Sequence, residues 1–183
     1  MDIKQHRLVC ANQISSPNFN DRPDERDISL IVIHSISLPP GQFNNHFIDQ
    51  LFCNQLNPSD HPYFEAIYQL RVSAHLLIGR NGGITQYVPF NKRAWHAGAS
   101  EFGGRTDCND FSIGIELEGA ESTAFTDQQY VKLATTITAL IQHYPRLDEK
   151  RITGHSTIAP GRKTDPGEHF AWDKLFDLLR KQD

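Results

Sequence analysis

The sequence predicts an α/β domain built on a single mixed β-sheet that is flanked by helices. Apolar runs of strand length alternate with amphipathic stretches of helix length along the chain, a pattern typical of strands and helices interleaved in one domain. The turn signal Asn81-Gly82-Gly83 separates two strand-like runs, which indicates one antiparallel hairpin in the sheet. The length of 183 residues favours a single domain covering residues 1–183.

In the first half of the chain, the β-branched run at residues 28–34 predicts a buried central strand that ends at His34. Apolar residues near helical spacing predict a helix within residues 41–56. A shorter helix is expected at residues 61–70, where Pro62 is tolerated in the first turn. The hairpin strands then lie on either side of the Asn-Gly-Gly turn.

In the second half, residues 111–119 alternate, so that apolar side chains face one way and Glu116 and Glu118 face the other. A capping box formed by Thr126 and Gln129 begins a long amphipathic helix, and Pro145 ends it. Residues 151–155 form a short strand that delivers His155, and an amphipathic helix over residues 168–181 closes the chain.

Composition argues against several classes of function. A net charge of −4 is unlike the basic field of nucleic-acid-binding proteins, and no apolar stretch approaches the ~20 residues needed to span a bilayer. The three cysteines, Cys10, Cys53 and Cys108, are widely spaced and odd in number, which favours free thiols in a reducing compartment. Because residues 1–16 contain no long apolar segment typical of a signal peptide, we expect a cytoplasmic protein.

Two of the nine histidines stand out by position, because His34 and His155 each follow a predicted strand. Loops just past strand ends carry the sites of many α/β sheets. Asp165 lies ten residues beyond His155 in a segment rich in proline and glycine, and two histidines with one carboxylate suit a zinc ion that keeps an open position. A solvated polar loop explains the same residues, so spacing alone leaves the metal site open.

Five ordered blocks of sequence resemble the zinc-dependent N-acetylmuramoyl-L-alanine amidases, and they cover nearly the whole chain. They read IVIHSISLPPGQF, HPYFEAI, RVSAHLLIGRNGGITQYVPFNKRAWHAGAS, CNDFSIGIELEG and GHSTIAPGRKTDPG. Within that family the chain is most similar to the cytosolic enzymes that act on 1,6-anhydro-muropeptides. The resemblance implies an amidase or peptidoglycan-recognition-like fold, a bound Zn²⁺, and hydrolysis of the amide between the lactyl group of muramic acid and L-alanine.

The resemblance also implies roles for individual residues. His34, His155 and Asp165 fall on the zinc ligands, Glu116 on the catalytic carboxylate, and Lys163 on a cation that stabilises the oxyanion. The residues alone leave Glu118 as an alternative to Glu116, and Arg162 as an alternative to Lys163.

Three further residues are candidates for binding substrate. Tyr63 and Trp95 are expected as walls for the sugar or the peptide, and Arg71 as a partner for a peptide carboxylate. Core packing is the alternative for each aromatic residue, and a surface ion pair is the alternative for Arg71.

Four other positions in or next to the matching blocks also carry expectations. His75 is expected to be a buried, hydrogen-bonded strand residue, and His96 a residue of the groove. Ser35 and Asp107 depart from residues common in relatives, which puts individual substrate contacts in doubt without affecting the metal set.

The predicted enzyme is a monomer whose partner is an anhydro-muropeptide. The rival hypotheses are a recognition module that binds without cleaving, and an envelope amidase that cuts intact cell wall.

Overall fold

The computed structural model describes residues 1–181 and contains short strands, one long helix and several single helical turns. The strands are β1 (Ile3–Lys4), β2 (Arg7–Leu8), β3 (Asn12–Gln13), β4 (Phe19–Asp21), β5 (Leu30–Ile36), β6 (Leu76–Ile78), β7 (Ile84–Gln86), β8 (Lys92–Ala94), β9 (Glu101–Phe102), β10 (Arg105–Thr106), β11 (Ser112–Glu118) and β12 (Ile152–Gly154). The α-helices are α1 (Phe47–Phe52), α2 (Asp127–His143), α3 (His155–Ile158) and α4 (Trp172–Arg180), and 3₁₀ turns cover Pro58–Asp60, Pro62–Ala66, Cys108–Asp110 and Glu149–Arg151.

A six-stranded sheet organises the molecule, in the order β12-β5-β11-β6-β7-β3. Every neighbouring pair is parallel except β6 and β7, which form the predicted antiparallel hairpin. Parallel strands need a crossover connection, and α2 lies in the one that joins β11 to β12, two parallel strands on either side of β5. The prediction of a single mixed sheet flanked by helices is therefore confirmed.

One face of the sheet is covered by α2 and α4. The odd-numbered apolar residues of β11, Ile113, Ile115 and Leu117, pack in one hydrophobic cluster with Leu133 of α2 and Leu175 of α4. All five side chains are at most 1% exposed, and each contributes roughly 1.5–3 kcal/mol of burial free energy. The predicted alternation of β11 thus holds, with its apolar side facing the helices.

The opposite face carries polar residues in the two central strands. The parallel register pairs Glu116 of β11 with His34 of β5, and paired residues of adjacent strands project to the same side of a sheet. Loops and α1 cover this face, so all seven residues of β11 are buried. Glu116 and Glu118 are therefore enclosed, because β11 is central and covered on both sides.

Several element bounds differ from the predicted ones. Strand β5 continues to Ile36, because its pairing with β11 runs as far as Glu118. His34 consequently lies inside the strand rather than after it. Helix α1 has only six residues, and residues 62–66 form a 3₁₀ turn rather than an α-helix.

The long helix agrees closely with its prediction, whereas the last helix begins later than expected. Thr126 and Gln129 form the capping box of α2, which ends at His143, two residues before Pro145. Helix α4 begins at Trp172 because Phe170, buried in the core against Trp172, comes first in a turn. Within residues 1–181, no helix combines the length and the apolar character that crossing a membrane requires.

Candidate metal centre and active site

Three side chains from distant parts of the sequence meet on the polar face of the sheet, the face that carries His34 and Glu116. His34 comes from β5, His155 is the first residue of α3 directly after β12, and Asp165 lies on the loop that follows α3. His34 Nδ1 lies 3.0 Å from His155 Nδ1 and 3.0 Å from Asp165 Oδ2, and the remaining separation, between His155 Nδ1 and Asp165 Oδ2, is 3.1 Å. The structure thus brings one potential ligand atom of each residue to a common point.

This donor set fits a zinc ion. A tetrahedral zinc site with bonds of about 2.0–2.1 Å places neighbouring ligand atoms about 3.3 Å apart, which is close to the separations found here. Two imidazoles and one carboxylate are borderline ligands of the kind that zinc accepts, and three protein ligands leave a position open for chemistry. His34 and His155 are almost fully buried, at 1% and 3% exposure, so the imidazoles are held rigidly by their surroundings.

The far nitrogen of each imidazole has a hydrogen-bond partner. His155 Nε2 lies 3.0 Å from the carbonyl oxygen of Ala97, and His34 Nε2 lies 2.9 Å from His96 Nδ1. Such partners fix the orientation and the tautomer of a metal-binding histidine. In both histidines it is therefore Nδ1 that is directed towards the common point.

The electrostatics of His34 and Asp165 favour the protonation states needed for metal binding. Burial lowers the pKa of His34 to about 4, although the neighbouring Asp165 opposes this shift. Burial by itself would raise the pKa of Asp165, but hydrogen bonds and charge interactions with His155 and His34 outweigh it and hold that pKa below its usual range. A neutral imidazole and an ionised carboxylate are thus both present at neutral pH.

Glu116 and Glu118 point to the same side of β11, but their surroundings differ. Glu118 accepts hydrogen bonds from the backbone N–H groups of Asn44, at 2.6 Å, and Arg80, at 3.2 Å. Oε2 of Glu116 is buried and has no hydrogen-bond partner within residues 1–181. Burial, with a further contribution from the charge of Asp165, raises the pKa of Glu116 well above its usual value. A buried, unpaired carboxylate of raised pKa beside His34 is typical of a catalytic acid or base.

Lys163 and Arg162 also differ from each other in their contacts. Arg162 Nη2 donates to the carbonyl oxygens of Ala97 and Ala99, both at 2.6 Å, and so ties the loop after α3 to the segment that contacts His155. Lys163 lines the cavity together with the three potential ligands and Glu116, and its positive charge opposes the raised pKa of Glu116.

An open cavity of about 780 Å³ lies over these residues. Its lining includes the apolar and aromatic residues Tyr63, Trp95, Ile67, Leu70 and Val72. The lining also includes the polar residues Arg162, Lys163, Thr164, Glu121 and Ser122. Tyr63 is 41% exposed, and the indole N–H of Trp95 donates to Asn20 at 2.7 Å, so neither ring is held in the core.

The remaining candidates divide into those at the cavity and those away from it. Ser35 and His96 line the cavity, whereas Arg71 and Asp107 are not among its lining residues. The exposed Arg71 donates to the carbonyl oxygen of Gln69, on its own loop, at 3.1 Å. The structure therefore does not bring Arg71 to the site, because its guanidinium turns back onto the local backbone.

Two further histidines, the fully buried His75 and the cavity-lining His96, pack closely against the central strands. His75 is fully buried, and its Nδ1 accepts from the backbone N–H of Gly114 at 3.0 Å while Nε2 lies 3.0 Å from the carbonyl oxygen of Lys92. This agrees with the expected buried, hydrogen-bonded residue. His96 packs so closely on Gly114 that a Cβ at that position would lie 2.4 Å from the imidazole Cγ, which explains the glycine in the middle of a central strand.

Sequence reasoning missed the residues that support the two imidazoles from behind. Asn109, in the 3₁₀ turn before β11, accepts at its Oδ1 from the backbone N–H groups of His96, at 3.1 Å, and Ala97, at 2.8 Å. Its side chain thereby holds the segment on which both His34 and His155 rest. The only signal for it in the sequence is its place in the CNDFSIGIELEG block, which gives no indication of this contact.

The fold and the site define a class of protein. A mixed sheet that presents two histidines, an aspartate and a buried glutamate at one cavity is suited to metal-assisted hydrolysis. The sequence profile described as N-acetylmuramoyl-L-alanine amidase matches residues 24–168, and the chain belongs to this family.

Relatives that align over nearly their whole length carry a more specific activity in their names than the family does. The chain is 54% identical over 179 residues to the 1,6-anhydro-N-acetylmuramyl-L-alanine amidase AmpD of Haemophilus influenzae, with 98% of this chain and 97% of that protein aligned. It is 53% identical over 182 residues to the protein of the same name from Escherichia coli, covering 100% of this chain and 99% of that one.

Solved structures show the same relationship. The crystal structure of an Se-Met AmpD derivative matches with a TM-score of 0.95 and 52% identity, over 98% of this chain and 99% of that chain. The amidase AmiD from E. coli, in complex with the substrate anhydro-N-acetylmuramic acid-L-Ala-D-gamma-Glu-L-Lys, matches with a TM-score of 0.61 and 29% identity, over 83% of this chain and 57% of that chain.

Proposed function

We propose that the protein hydrolyses the amide bond between the lactyl group of 1,6-anhydro-N-acetylmuramic acid and L-alanine in muropeptides, with zinc as its cofactor. The observation that carries the proposal is the meeting of three potential ligand atoms beside a buried, unpaired Glu116 in one open cavity. The 1,6-anhydro specificity is supported by relatives that bear this activity in their names and align over almost their entire length.

His34, His155 and Asp165 would hold the zinc through Nδ1, Nδ1 and Oδ2. When bound, zinc supplies Lewis-acid chemistry, because it acidifies water and polarises a carbonyl group. Burial keeps the His34 imidazole neutral and Asp165 is ionised at neutral pH, so neither side chain has to lose a proton before the metal binds.

Glu116 acts as the proton carrier. Its carboxylate takes the proton of the attacking water and passes it to the nitrogen of the departing L-alanine. A raised pKa suits both halves of this transfer, because a carboxylate of ordinary pKa would hold the proton too weakly to protonate the leaving amine. The buried position of Oε2 keeps bulk water from competing for the same proton.

Lys163 stabilises the negative charge that develops on the carbonyl oxygen. It lines the cavity together with Glu116 and the three ligands, and a donor aimed at the developing oxyanion typically lowers the barrier by about 3–4 kcal/mol. Arg162 has a different role, because its guanidinium is engaged by the carbonyl oxygens of Ala97 and Ala99.

Tyr63 and Trp95 form the substrate-binding wall. The apolar rings favour the face of the sugar or the apolar parts of the peptide. Thr164 and Ser122, which also line the cavity, offer hydroxyl groups that can pair with the amide groups of the peptide. This mixture of aromatic and hydroxyl-bearing lining residues suits a substrate that joins a sugar to a peptide.

Three further predictions complete the proposal. The chain is a single domain over residues 1–183, a monomer, and a cytoplasmic protein. Fractionation of cells, and light scattering of the purified protein at several concentrations, would test location and oligomeric state.

Mass analysis of the products from a defined anhydro-muropeptide tests the activity directly. The wild type should add one water and release 1,6-anhydro-N-acetylmuramic acid and the intact peptide, whereas Asp165→Ala should release neither. Asp173→Ala, which removes an exposed aspartate of α4 remote from the cavity, serves as the matched control and should retain full turnover.

The same assay distinguishes the rival functions. Binding of the muropeptide without cleavage would favour a recognition module. Faster release from intact sacculi than from the soluble anhydro-muropeptide would favour an envelope amidase. Equal turnover by the wild type and Asp165→Ala would refute the assignment of the metal site.

A further inference from the structure

A chain of hydrogen bonds runs from the metal centre into the protein interior. His34 Nε2 lies 2.9 Å from His96 Nδ1, and His96 Nε2 lies 3.2 Å from the hydroxyl oxygen of Ser112. The Ser112 hydroxyl donates to the backbone carbonyl oxygen of Cys108 at 2.6 Å. The chain therefore links one potential ligand, through a second imidazole, to the backbone of the 3₁₀ turn that precedes β11.

The backbone carbonyl of Cys108 determines which atom donates and which accepts in every hydrogen bond of this chain. A backbone carbonyl can only accept, so the single proton of the Ser112 hydroxyl is used there, and its oxygen accepts from His96. A neutral imidazole that donates from Nε2 carries no proton on Nδ1, so His96 Nδ1 accepts. His34 must then donate from Nε2, which leaves the lone pair of its Nδ1 directed towards Asp165 and His155.

The surrounding structure holds His96 in this role. Its ring lies against the Cα of Gly114, where no side chain could fit beside it. Its backbone N–H and that of Ala97 both donate to Oδ1 of the buried Asn109. The Ala97 carbonyl in turn accepts from His155, so two consecutive residues on one clamped segment contact both metal-binding imidazoles.

We propose that His96 is a positioning residue for the metal centre: through Ser112 and Cys108 it sets the tautomer of His34 and so makes Nδ1 the ligand atom. The inference rests on the proposed metal site, because it concerns how that site is prepared for zinc. Partners of this kind typically raise metal affinity by a factor of about 10–100.

The first test is the tautomer of each imidazole in the wild-type protein. Long-range ¹H–¹⁵N correlation spectra of ¹⁵N-histidine-labelled protein distinguish the two ring nitrogens, both without metal and after addition of Zn²⁺. We expect His34 and His96 each to be protonated on Nε2 in both samples. A His96 protonated on Nδ1 would overturn the proposal even if no metal bound.

The second test compares three variants by zinc affinity, measured in competition with a chromophoric chelator. His96→Phe keeps a ring of similar shape but removes the acceptor, so its Kd for zinc should rise about 10–100-fold. His96→Asn retains an oxygen acceptor at the place of Nδ1, and its Kd should stay within about fivefold of the wild-type value. The control is His75→Phe, which alters an equally buried imidazole without direct contact to the ligands and should leave the zinc affinity within about threefold.

The outcomes separate this inference from the proposed function. Failure of the wild type to bind Zn²⁺ would refute the proposed metal site, and the metal-free tautomers would still decide the role of His96. Tight binding by the wild type together with unchanged affinity in His96→Phe would overturn the positioning role alone. An equal loss in His96→Phe and His96→Asn would also overturn it, because the loss would then follow the ring and not the acceptor.

Discussion

The two glutamates of β11 allow the proposed mechanism to be tested by a matched pair of substitutions. Glu116 and Glu118 lie two positions apart on one strand, face the same side, and are both nearly buried. They differ in their partners, because Glu118 accepts from two backbone N–H groups and Oε2 of Glu116 has no partner within the described residues. The same change to glutamine should therefore have opposite effects at the two positions.

In Glu116→Gln the proton carrier is lost while the shape is kept. General acid–base catalysis contributes about 10²–10⁴-fold to rate, so kcat should fall by that factor, equivalent to about 3–5 kcal/mol of activation free energy. The free energy of unfolding should stay equal or rise, because an amide replaces a buried carboxylate whose charged form burial disfavours.

In Glu118→Gln the amide group replaces an acceptor of two backbone N–H bonds. One of its two ends becomes an NH₂ group that faces a donor, from Asn44 or Arg80. The expected cost is about 1–3 kcal/mol of unfolding free energy, or a decrease in Tm of roughly 2–12 °C for a chain of this size. The catalytic rate of the folded protein should change by less than about tenfold.

The two variants are compared by turnover of a defined anhydro-muropeptide, by thermal unfolding, and by zinc content. Zinc content should match the wild type in both, because neither residue is a proposed ligand. The reasoning is refuted if Glu118→Gln loses as much turnover as Glu116→Gln, or if Glu116→Gln keeps wild-type turnover with zinc bound.

Other substitutions test the cation, the interior electrostatics and the core. Lys163→Ala should lower kcat about 10²–10³-fold without loss of zinc, whereas Arg162→Ala should lower it much less; the opposite order in steady-state assays would reverse their roles. Burial lowers the pKa of His75 to about 3 when folded, against about 6.5 when unfolded. The unfolded state therefore binds more protons as pH falls below 6.5, and the folded state should lose about 1.4 kcal/mol per pH unit down to pH 4. Urea unfolding at several pH values should show that His75→Phe lacks this component, and an identical pH slope in both proteins would contradict the assignment. Leu133→Ala, at a fully buried position under the sheet, should cost about 2–5 kcal/mol of unfolding free energy, and a loss below 1 kcal/mol would show that α2 packs less tightly than described.

Much of the architecture could be predicted because it depends on local pattern. The alternation of residues 111–119 and the capping box at Thr126 each specify an element from a few neighbouring residues. The bounds of β5 could not be obtained in this way, because the strand continues past His34 only where its partner β11 offers further pairing. Likewise, the start of α4 depends on where Phe170 enters the core.

In the site, too, some features could be predicted from the sequence and others depend on tertiary contacts. Position at strand ends and family resemblance predicted the meeting of His34, His155 and Asp165. The choice between Glu116 and Glu118 depends on which loops reach each carboxylate, which a single strand does not reveal. Arg71 was assigned by residue type alone, and the structure instead turns its guanidinium onto its own loop.

His34 and Glu116 are paired across two parallel strands, so the register of these strands determines both the active-site geometry and the core packing. Because side chains alternate with a period of two, deleting one residue from β5 before His34 would turn the imidazole towards α2 and put Ser35 in its place at the cavity. The same slip would disrupt the hydrophobic packing beneath the sheet. An insertion or deletion in either strand would therefore abolish activity and stability together.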